Sequence, residues 1–354
     1  MTDSLNTSMS GLACPTPPSS FDVIRLGHGS GGKLTADLIE SLFLPALGNE
    51  VLRELDDAAV VTTGTGRIAV TTDSYVVNPI FFPGGDIGSL SVHGTVNDLA
   101  MRGAKPLFLS MAFILEEGLP LEELKKIVVS VSMACQEARV KLVAADTKVV
   151  NRGAADKLFI TTAGIGIVEI DTPPAASNGL PGDIVMVSGD LGMHGMAIMC
   201  AREGLDLETT LESDSLPLNG LVQDMLAAVP EIHCLRDLTR GGLASAANEL
   251  AQSSNVGMEL DEEAIPVHPQ VRAACELLGL DPLYVASEGR LMAVVPESSA
   301  DRLLAAAKTH RFGSGARAIG RLTEDHRGRV VLRSRIGGRR LLDKLSGEQL
   351  PRIC

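Results

Sequence analysis

Several short stretches of this 354-residue chain carry side chains able to do chemistry. Four of them are acidic: Asp56-Asp57, Asp73, Asn97-Asp98 and Asp146, each beside a segment that reads as a strand end or a turn. Carboxylates that converge from strand ends make a hard, oxygen-rich site suited to Mg²⁺ and to phosphates attached to it. Taken singly, each of these residues reads equally well as a turn residue bonding its own backbone. Asp146-Thr-Lys148 strengthens the chemical reading, because it sets a carboxylate, a hydroxyl and an ammonium in three consecutive positions after an apolar run. Gly27-His-Gly-Ser-Gly-Gly-Lys33 has the backbone freedom to wrap a phosphate, with Lys33 to neutralise charge, although its spacing is not that of a Walker A loop. Asp237-Leu-Thr-Arg-Gly-Gly242 opens a predicted helix and reads either as a helix cap or as a phosphate-binding helix start with an adjacent Arg. Glu288 precedes a predicted strand.

The chain ends Gly347-Glu-Gln-Leu-Pro-Arg-Ile-Cys354. A terminal cysteine is a poor core residue, since its free carboxylate resists burial. Prenylation needs the cysteine four residues from the end, so that reading is excluded. A tail ending in a thiol suits a swinging arm that carries a group between sites. The terminal carboxylate raises the pKa of that thiol, whereas Arg352 or a basic receptor lowers it.

These residues need elements to hold them. Short apolar, β-prone runs at Arg67–Asp73 and Pro106–Phe113 predict strands. Leu121, Leu124, Val128, Val131, Cys135 and Ala138 recur at helical spacing after Pro120, which predicts a helix over 120–139 with Cys135 on its buried stripe. A further strand is expected over 157–170, and the Pro- and Gly-rich segment 173–182 reads as an interdomain linker. Beyond it, strands are expected near 183–188, 291–295, 316–322 and 330–333, with helices near 193–202, 218–229, 242–253 and 271–278. The expected class is therefore α+β (mixed α/β) in two domains, with a flexible head over 1–20, domains over 21–172 and 180–334, and a mobile tail over 335–354.

Composition narrows the class. With 45% apolar and 21% charged residues the chain is that of a globular protein, and the formal net charge of −13 disfavours general nucleic-acid binding. Six cysteines without a Cys-x-x-Cys pair argue against zinc and for a reducing, cytoplasmic setting, and Cys14 in the Ser- and Pro-rich head reads as incidental. Asp301 to Cys354 carries thirteen Lys and Arg against five Asp and Glu, either as solvated basic loops or as a segment docking on an acidic surface.

Taken together, these segments, with the run from Thr71-Thr-Asp-Ser through Phe81-Phe-Pro-Gly-Gly-Asp-Ile-Gly88 to Gly94-Thr-Val-Asn-Asp-Leu-Ala-Met101, resemble the aminoimidazole ribonucleotide synthetase-like ATP-binding superfamily. Pro351-Arg-Ile-Cys354 narrows the resemblance to the HypE family of carbamoyl dehydratases, which act in nickel–iron hydrogenase maturation. Ala145 stands where a glycine is expected before Asp146, and the head is longer than usual. The resemblance implies a two-domain PurM-like fold and a homodimer built on a barrel-like N-terminal core, with ATP bound between the domains. It implies Mg²⁺ ligation by Asp57, Asp98 and Asp237, with Asp73 near the phosphates. Gly29, Ser30, Gly31, Gly32, Lys33, Asn97, Asp146, Thr147, Lys148 and Thr239 complete the nucleotide site on the same basis. Proteins of this family accept a carbamoyl group on the terminal cysteine from a HypF-type carbamoyltransferase. They dehydrate it to a thiocyanate and pass cyanide to the HypC–HypD complex. Cys354 is then the carrier, Glu288 the base and Lys148 a stabiliser of developing negative charge. The rivals are a kinase or synthetase of the same superfamily, in whose selenium enzyme the reactive residue lies in the glycine-rich segment, and a non-catalytic scaffold.

Overall fold

The computed structural model describes residues 31–354 apart from 48, 65, 206–210, 346–349 and 351. The predicted head, Cys14, Gly29, Ser30, Gly347 and Pro351 lie outside the described residues. Two sheets organise the rest. The first runs in the order β1 (Ala59–Thr63), β2 (Gly66–Tyr75), β5 (Leu158–Val168), β3 (Lys105–Glu116), β4 (Lys141–Val150), antiparallel except for the β3–β4 pair. Strands joined in parallel need a crossover, and helix α2 (Leu121–Ala138) supplies it. The spacing over 120–139 thus forms the expected helix with Cys135 on its inner side, but Leu121 and Val128 of the expected stripe are exposed, and the buried side is Ile127, Val131, Ala134, Cys135 and Ala138.

Helix α1 (Ile87–Met101) packs beside α2 on the same face of this sheet. Its start is fixed by Asp86, whose carboxylate accepts hydrogen bonds from the Gly88 and Ser89 N–H groups at 2.7 and 3.0 Å, while the Ser89 hydroxyl serves the Asp86 N–H in return. Thirteen of its fifteen residues are buried. A helix covered on every side carries no polar stripe, so hydrophobic periodicity does not reveal it.

The other face of the first sheet stays open. Phe108, Ile114, Val143, Val149, Ile165 and Ile167 are exposed there or along the β4 edge, and every residue from Lys141 to Val149 is exposed.

The second sheet runs β12 (Arg339–Leu341), β11 (Val330–Arg333), β8 (Gly257–Asp261), β10 (Arg317–Thr323), β6 (Ile184–Val187), β9 (Leu291–Val295), β7 (Cys234–Asp237). Residues of β9 are buried on both sides: Met292 and Val294 join the core under helix α5 (Gly242–Ser253), and Leu291, Ala293 and Val295 join the core under α4 (Asn219–Ala228) and α7 (Ala300–Thr309). Helix α3 (Met193–Glu203) and helix α6 (Pro269–Leu278) form a smaller apolar cluster.

The two halves share a core. Ala100 and Met101 of α1 belong to the cluster of Met186, Leu221 and Leu291, and the tail residue Ile353 belongs to that of Leu90, Ile127 and Ala286. The basic C-terminal segment docks on the chain's own acidic surface: Arg302, Arg311, Arg321, Arg333, Arg339, Arg340, Lys344 and Arg352 all pair with carboxylates earlier than residue 301. Such exposed pairs contribute little stability each. Their number sets the course of the segment over the surface.

Replacing the capping residue tests the local account. Asp86→Ala is expected to destabilise the protein by about 1 kcal/mol, read as a lower urea midpoint at an unchanged slope; an unaltered midpoint would show that packing alone holds α1.

Candidate active site between the sheets

A cavity of about 220 Å³ opens where α1, β2 and the start of α5 meet. Asp57 precedes β1, Asp73 sits on β2, Asp98 on α1 and Asp237 at the end of β7. Single carboxylate oxygens of Asp57, Asp98 and Asp237 lie within 4.8 Å of one another. Asp98 accepts a hydrogen bond from the Thr71 hydroxyl at 2.7 Å, and Asp57 stands 3.2 Å from the Arg236 guanidinium. The second oxygen of Asp57 is buried with no hydrogen-bond partner. The three carboxylates form a donor set suited to a hard divalent cation. Asp56, next in sequence, turns the other way and pairs with buried Arg102.

Burial dominates the electrostatics. It raises the pKa of Asp57 against the opposing pull of Arg236, raises Asp98 with help from the Asp73 charge, and brings Asp237 to about 6. Asp73 is raised by burial too, opposed by Arg240 and by hydrogen bonds from Thr95 and Tyr75, both at 3.3 Å. Gly94 makes that arrangement possible, since a Cβ at this position would lie 2.3 Å from the Tyr75 hydroxyl.

Glu288 reaches the cavity from the loop before β9, with one oxygen buried and unpartnered. Burial, then the charges of Asp237 and Asp214, push it up to about 8. Its backbone is clamped: the Glu288 N–H donates to Asp214 at 3.1 Å, and the Asn97 amide donates to the Glu288 carbonyl at 3.1 Å. Cys354 lies in the same cavity. Burial raises its thiol to about 12, although Arg240 pulls the other way.

At the cavity's other end stands the start of α5. Gly241 and Gly242 take φ of +79° and +57°, which turn the chain so that the helix N-terminus faces the cavity beside Thr239 and Arg240. Gly31 packs against Arg240 and accepts a hydrogen bond from the Ser245 hydroxyl at 3.2 Å.

Several expected site residues are elsewhere. Lys33 pairs with Asp343 at 2.6 Å and does not line the cavity, and buried Gly32 caps the short helix Lys33–Leu38. Asn97 is fully engaged as a clamp: besides Glu288 it binds the Leu216 carbonyl and the Leu218 N–H, so its amide is not directed at a ligand. Asp146, Thr147 and Lys148 are exposed on β4, where Lys148 is 74% exposed and pairs with Asp146 at 3.5 Å. The tertiary reason is that β4 is an edge strand, and its open side is not turned to the cavity of its own chain. Arg236, Glu249, Asp214 and Tyr75 line or support the site without having been singled out. Arg236 adjoins the Asp237 motif, whereas Glu249 is a lone acidic residue in a helix and carries no sequence signal.

Residues 55–168 match the N-terminal domain, and residues 181–333 the C-terminal domain, of the AIR synthase related proteins. The chain belongs to that family and has its PurM-like two-domain fold. It is 54% identical over 332 residues to the carbamoyl dehydratase HypE of Cupriavidus necator, covering 94% of this chain and 95% of the relative. It is 47% identical to the HypE of a crystallised HypE–HypF complex, with a TM-score of 0.83 over 87% of this chain and 99% of that one. A HypE crystallised with ATP is 47% identical as well, with a TM-score of 0.80 over 92% and 98% of the two chains. Within the wider family, the chain is therefore a member of the HypE carbamoyl dehydratases. Among the described residues no helix is long and apolar enough to cross a membrane.

The Glu288 environment sets a pH dependence. A carboxyl raised from 4.5 to about 8 contributes stability below pH 4.5 that is lost as pH rises through 8. Glu288→Gln is therefore expected to flatten the fall in melting temperature between pH 5 and 8 and to leave the variant at least as stable as wild type at pH 8. A fall as steep as the wild type's would assign the effect to the Asp cluster.

Proposed function

We propose that this chain is an ATP-dependent carbamoyl dehydratase of nickel–iron hydrogenase maturation that carries its substrate group on Cys354. One observation carries the reading: the terminal thiol shares a small cavity with Glu288, Arg240 and the Asp57–Asp98–Asp237 cluster. A carrier thiol needs such a site, and a scaffold does not.

The chemistry follows from the groups present. A thiocarbamate, –S–CO–NH₂, becomes –S–C≡N by losing the elements of water, which is unfavourable in water without coupling. Transfer of the ATP γ-phosphoryl group to the carbonyl oxygen releases ADP and one N–H proton; loss of the second N–H proton then expels phosphate as the C–O bond breaks. Glu288 and Arg240 both line the cavity; Glu288 would take a proton from nitrogen and Arg240 would stabilise negative charge on the phosphorylated oxygen. The Gly31 backbone, Thr239 and the N-terminus of α5 would receive the phosphates. Asp57, Asp98 and Asp237 would hold Mg²⁺, which supplies charge compensation for the triphosphate and relieves the carboxylate repulsion on Glu288.

The docked thiol, at about 12, is a poor nucleophile, whereas its carbamoyl and cyano derivatives are neutral and bury without an ionisation penalty. Carbamoyl uptake from a HypF-type carbamoyltransferase therefore belongs to an undocked tail and dehydration to the docked one. Delivery to a HypC–HypD complex again requires release.

The open apolar face of the first sheet supports a homodimer. Two such faces closing on each other would make a barrel-like core and bring Asp146, Thr147 and Lys148 of one copy towards the cavity of the other.

Intact mass after incubation with the carbamoyltransferase, carbamoyl phosphate and ATP should show an adduct on wild type and none on Cys354→Ala. An adduct persisting in that variant would remove Cys354 as carrier. Calorimetry should find Mg²⁺-dependent ATP binding weakened at least tenfold in each of Asp57→Ala, Asp98→Ala and Asp237→Ala; metal-dependent binding retained in all three would place the cation elsewhere.

A further inference from the structure

The last three residues are gripped by groups outside the chemistry described above. The Val76 N–H donates to the Cys354 main-chain oxygen, and the Asn78 N–H to the Arg352 carbonyl, both at 3.1 Å. The tail thus runs along residues 76–78 as a two-bond ladder. Between these bonds the Ile353 carbonyl lies 2.6 Å from His194 Nε2. A carbonyl only accepts, so Nε2 carries the proton and Nδ1 accepts from the Ser213 hydroxyl at 2.7 Å. His194 is wholly buried, with Phe82 edge-on to its ring at 5.5 Å. Arg202 donates to the Arg352 carbonyl at 2.9 Å. The Arg352 side chain folds back to Asp156 at 2.6 Å and to the Val76 carbonyl at 3.0 Å. Ile353 is 4% exposed and anchors the segment in the N-terminal core.

We propose that His194, with Arg202 and Asp156, forms a docking receptacle that positions the carrier thiol for dehydration. The inference rests on the reading of Cys354 as carrier and adds the residues that decide where the thiol sits. His194 is a positioning residue: it acts through the Ile353 peptide on the sulfur of the next residue. Its hydrogen bond is short, shielded from water and held in one tautomer by Ser213. Without it, the peptide before the thiol would lose its one buried side-chain donor and keep only the Val76 bond at the chain end and the contacts of Arg352. The outer contact is built differently. Arg352 and Asp156 are 31% and 44% exposed, so water competes for their ion pair, and this is where release can begin. Four bonds, from the Val76 and Asn78 N–H groups, His194 and Arg202, read main-chain oxygens of residues 352–354 and so set the register of the chain end, whereas Asp156 and the Val76 carbonyl read the Arg352 side chain.

Alkylation of Cys354 by N-ethylmaleimide measures the undocked fraction, provided Cys14 is replaced by Ser and the modified peptide is identified by mass. Cys135, Cys200, Cys234 and Cys275 are buried and react slowly. Losing one buried hydrogen bond is expected to raise the alkylation rate about tenfold in His194→Ala. His194→Gln, which keeps an N–H donor, should recover most of the protection. Asp156→Ala, at a half-exposed position whose loss does not threaten folding, should raise the rate about threefold. In single-turnover experiments on carbamoylated protein with Mg²⁺ and ATP, both Ala variants should dehydrate more slowly while accepting the carbamoyl group at least as fast as wild type. Wild-type alkylation rates in Asp156→Ala, or in a folded His194→Ala, would overturn the receptacle. So would equal losses of carbamoyl uptake and dehydration, which a general structural defect produces. The alkylation readout needs no carbamoyl chemistry, so failure of Cys354 as carrier would appear separately, as wild-type protein without an adduct.

Discussion

Burial of like charge is the constraint on which this architecture turns. Asp57, Asp73, Asp98, Asp237 and Glu288 line one cavity, and burial raises the pKa of each. Each buried carboxylate is costly unless it is paired, protonated or bound to a cation. The surroundings accordingly offer only partial compensation. Arg236 and Arg240 oppose the shifts, and Thr71, Thr95 and Tyr75 donate hydrogen bonds, yet oxygens of Asp57 and Glu288 remain without partners. A site left under-compensated in this way suits a hard cation.

Holding such a site together requires a stiff frame. Helix α1 provides it by being buried on nearly every side, and by belonging at once to the N-terminal core and to the core shared with the second sheet. Asp98 reaches the cavity from one side of this helix, and Asn97, one residue earlier, reaches across to the loop that holds Glu288. Asp98 and the Glu288 loop are thereby fixed to one another through three hydrogen bonds of a single amide. Asn97 contributes to the cavity through this bracing.

The thiol obeys the same electrostatics with the opposite consequence. In the docked position burial suppresses its ionisation, which under the proposed function would separate a reactive state of the tail from a processing state. The ion pairs along residues 302–352 lead the final segment across the surface of the second domain before the chain end turns into the first. Most of these pairs are exposed and individually weak, with Lys344–Glu249 more sheltered.

Much of this was legible in one dimension. The alternation and turn chemistry around residues 67–73, 106–113 and 291–295, and the helical spacing over 120–139, correspond to elements of the fold, because local propensity and burial pattern agree there. The acidic motifs, the Asp237–Gly242 turn and the terminal cysteine stood out because their residue types are poor choices for a core and so imply chemistry. Helix α1 was not legible as a helix, since a helix buried all round has no amphipathic period. Nor could adjacency in sequence tell that Asp56 turns to Arg102 while Asp57 turns to the cavity, or that Asn97 and Asp98 serve different masters. Residue types determined which side chains were available for chemistry. Only the crossing of two sheets decided which of them meet, because convergence depends on contacts between residues as distant as Asp57 and Asp237, and on an edge strand that carries Lys148 away from its own cavity.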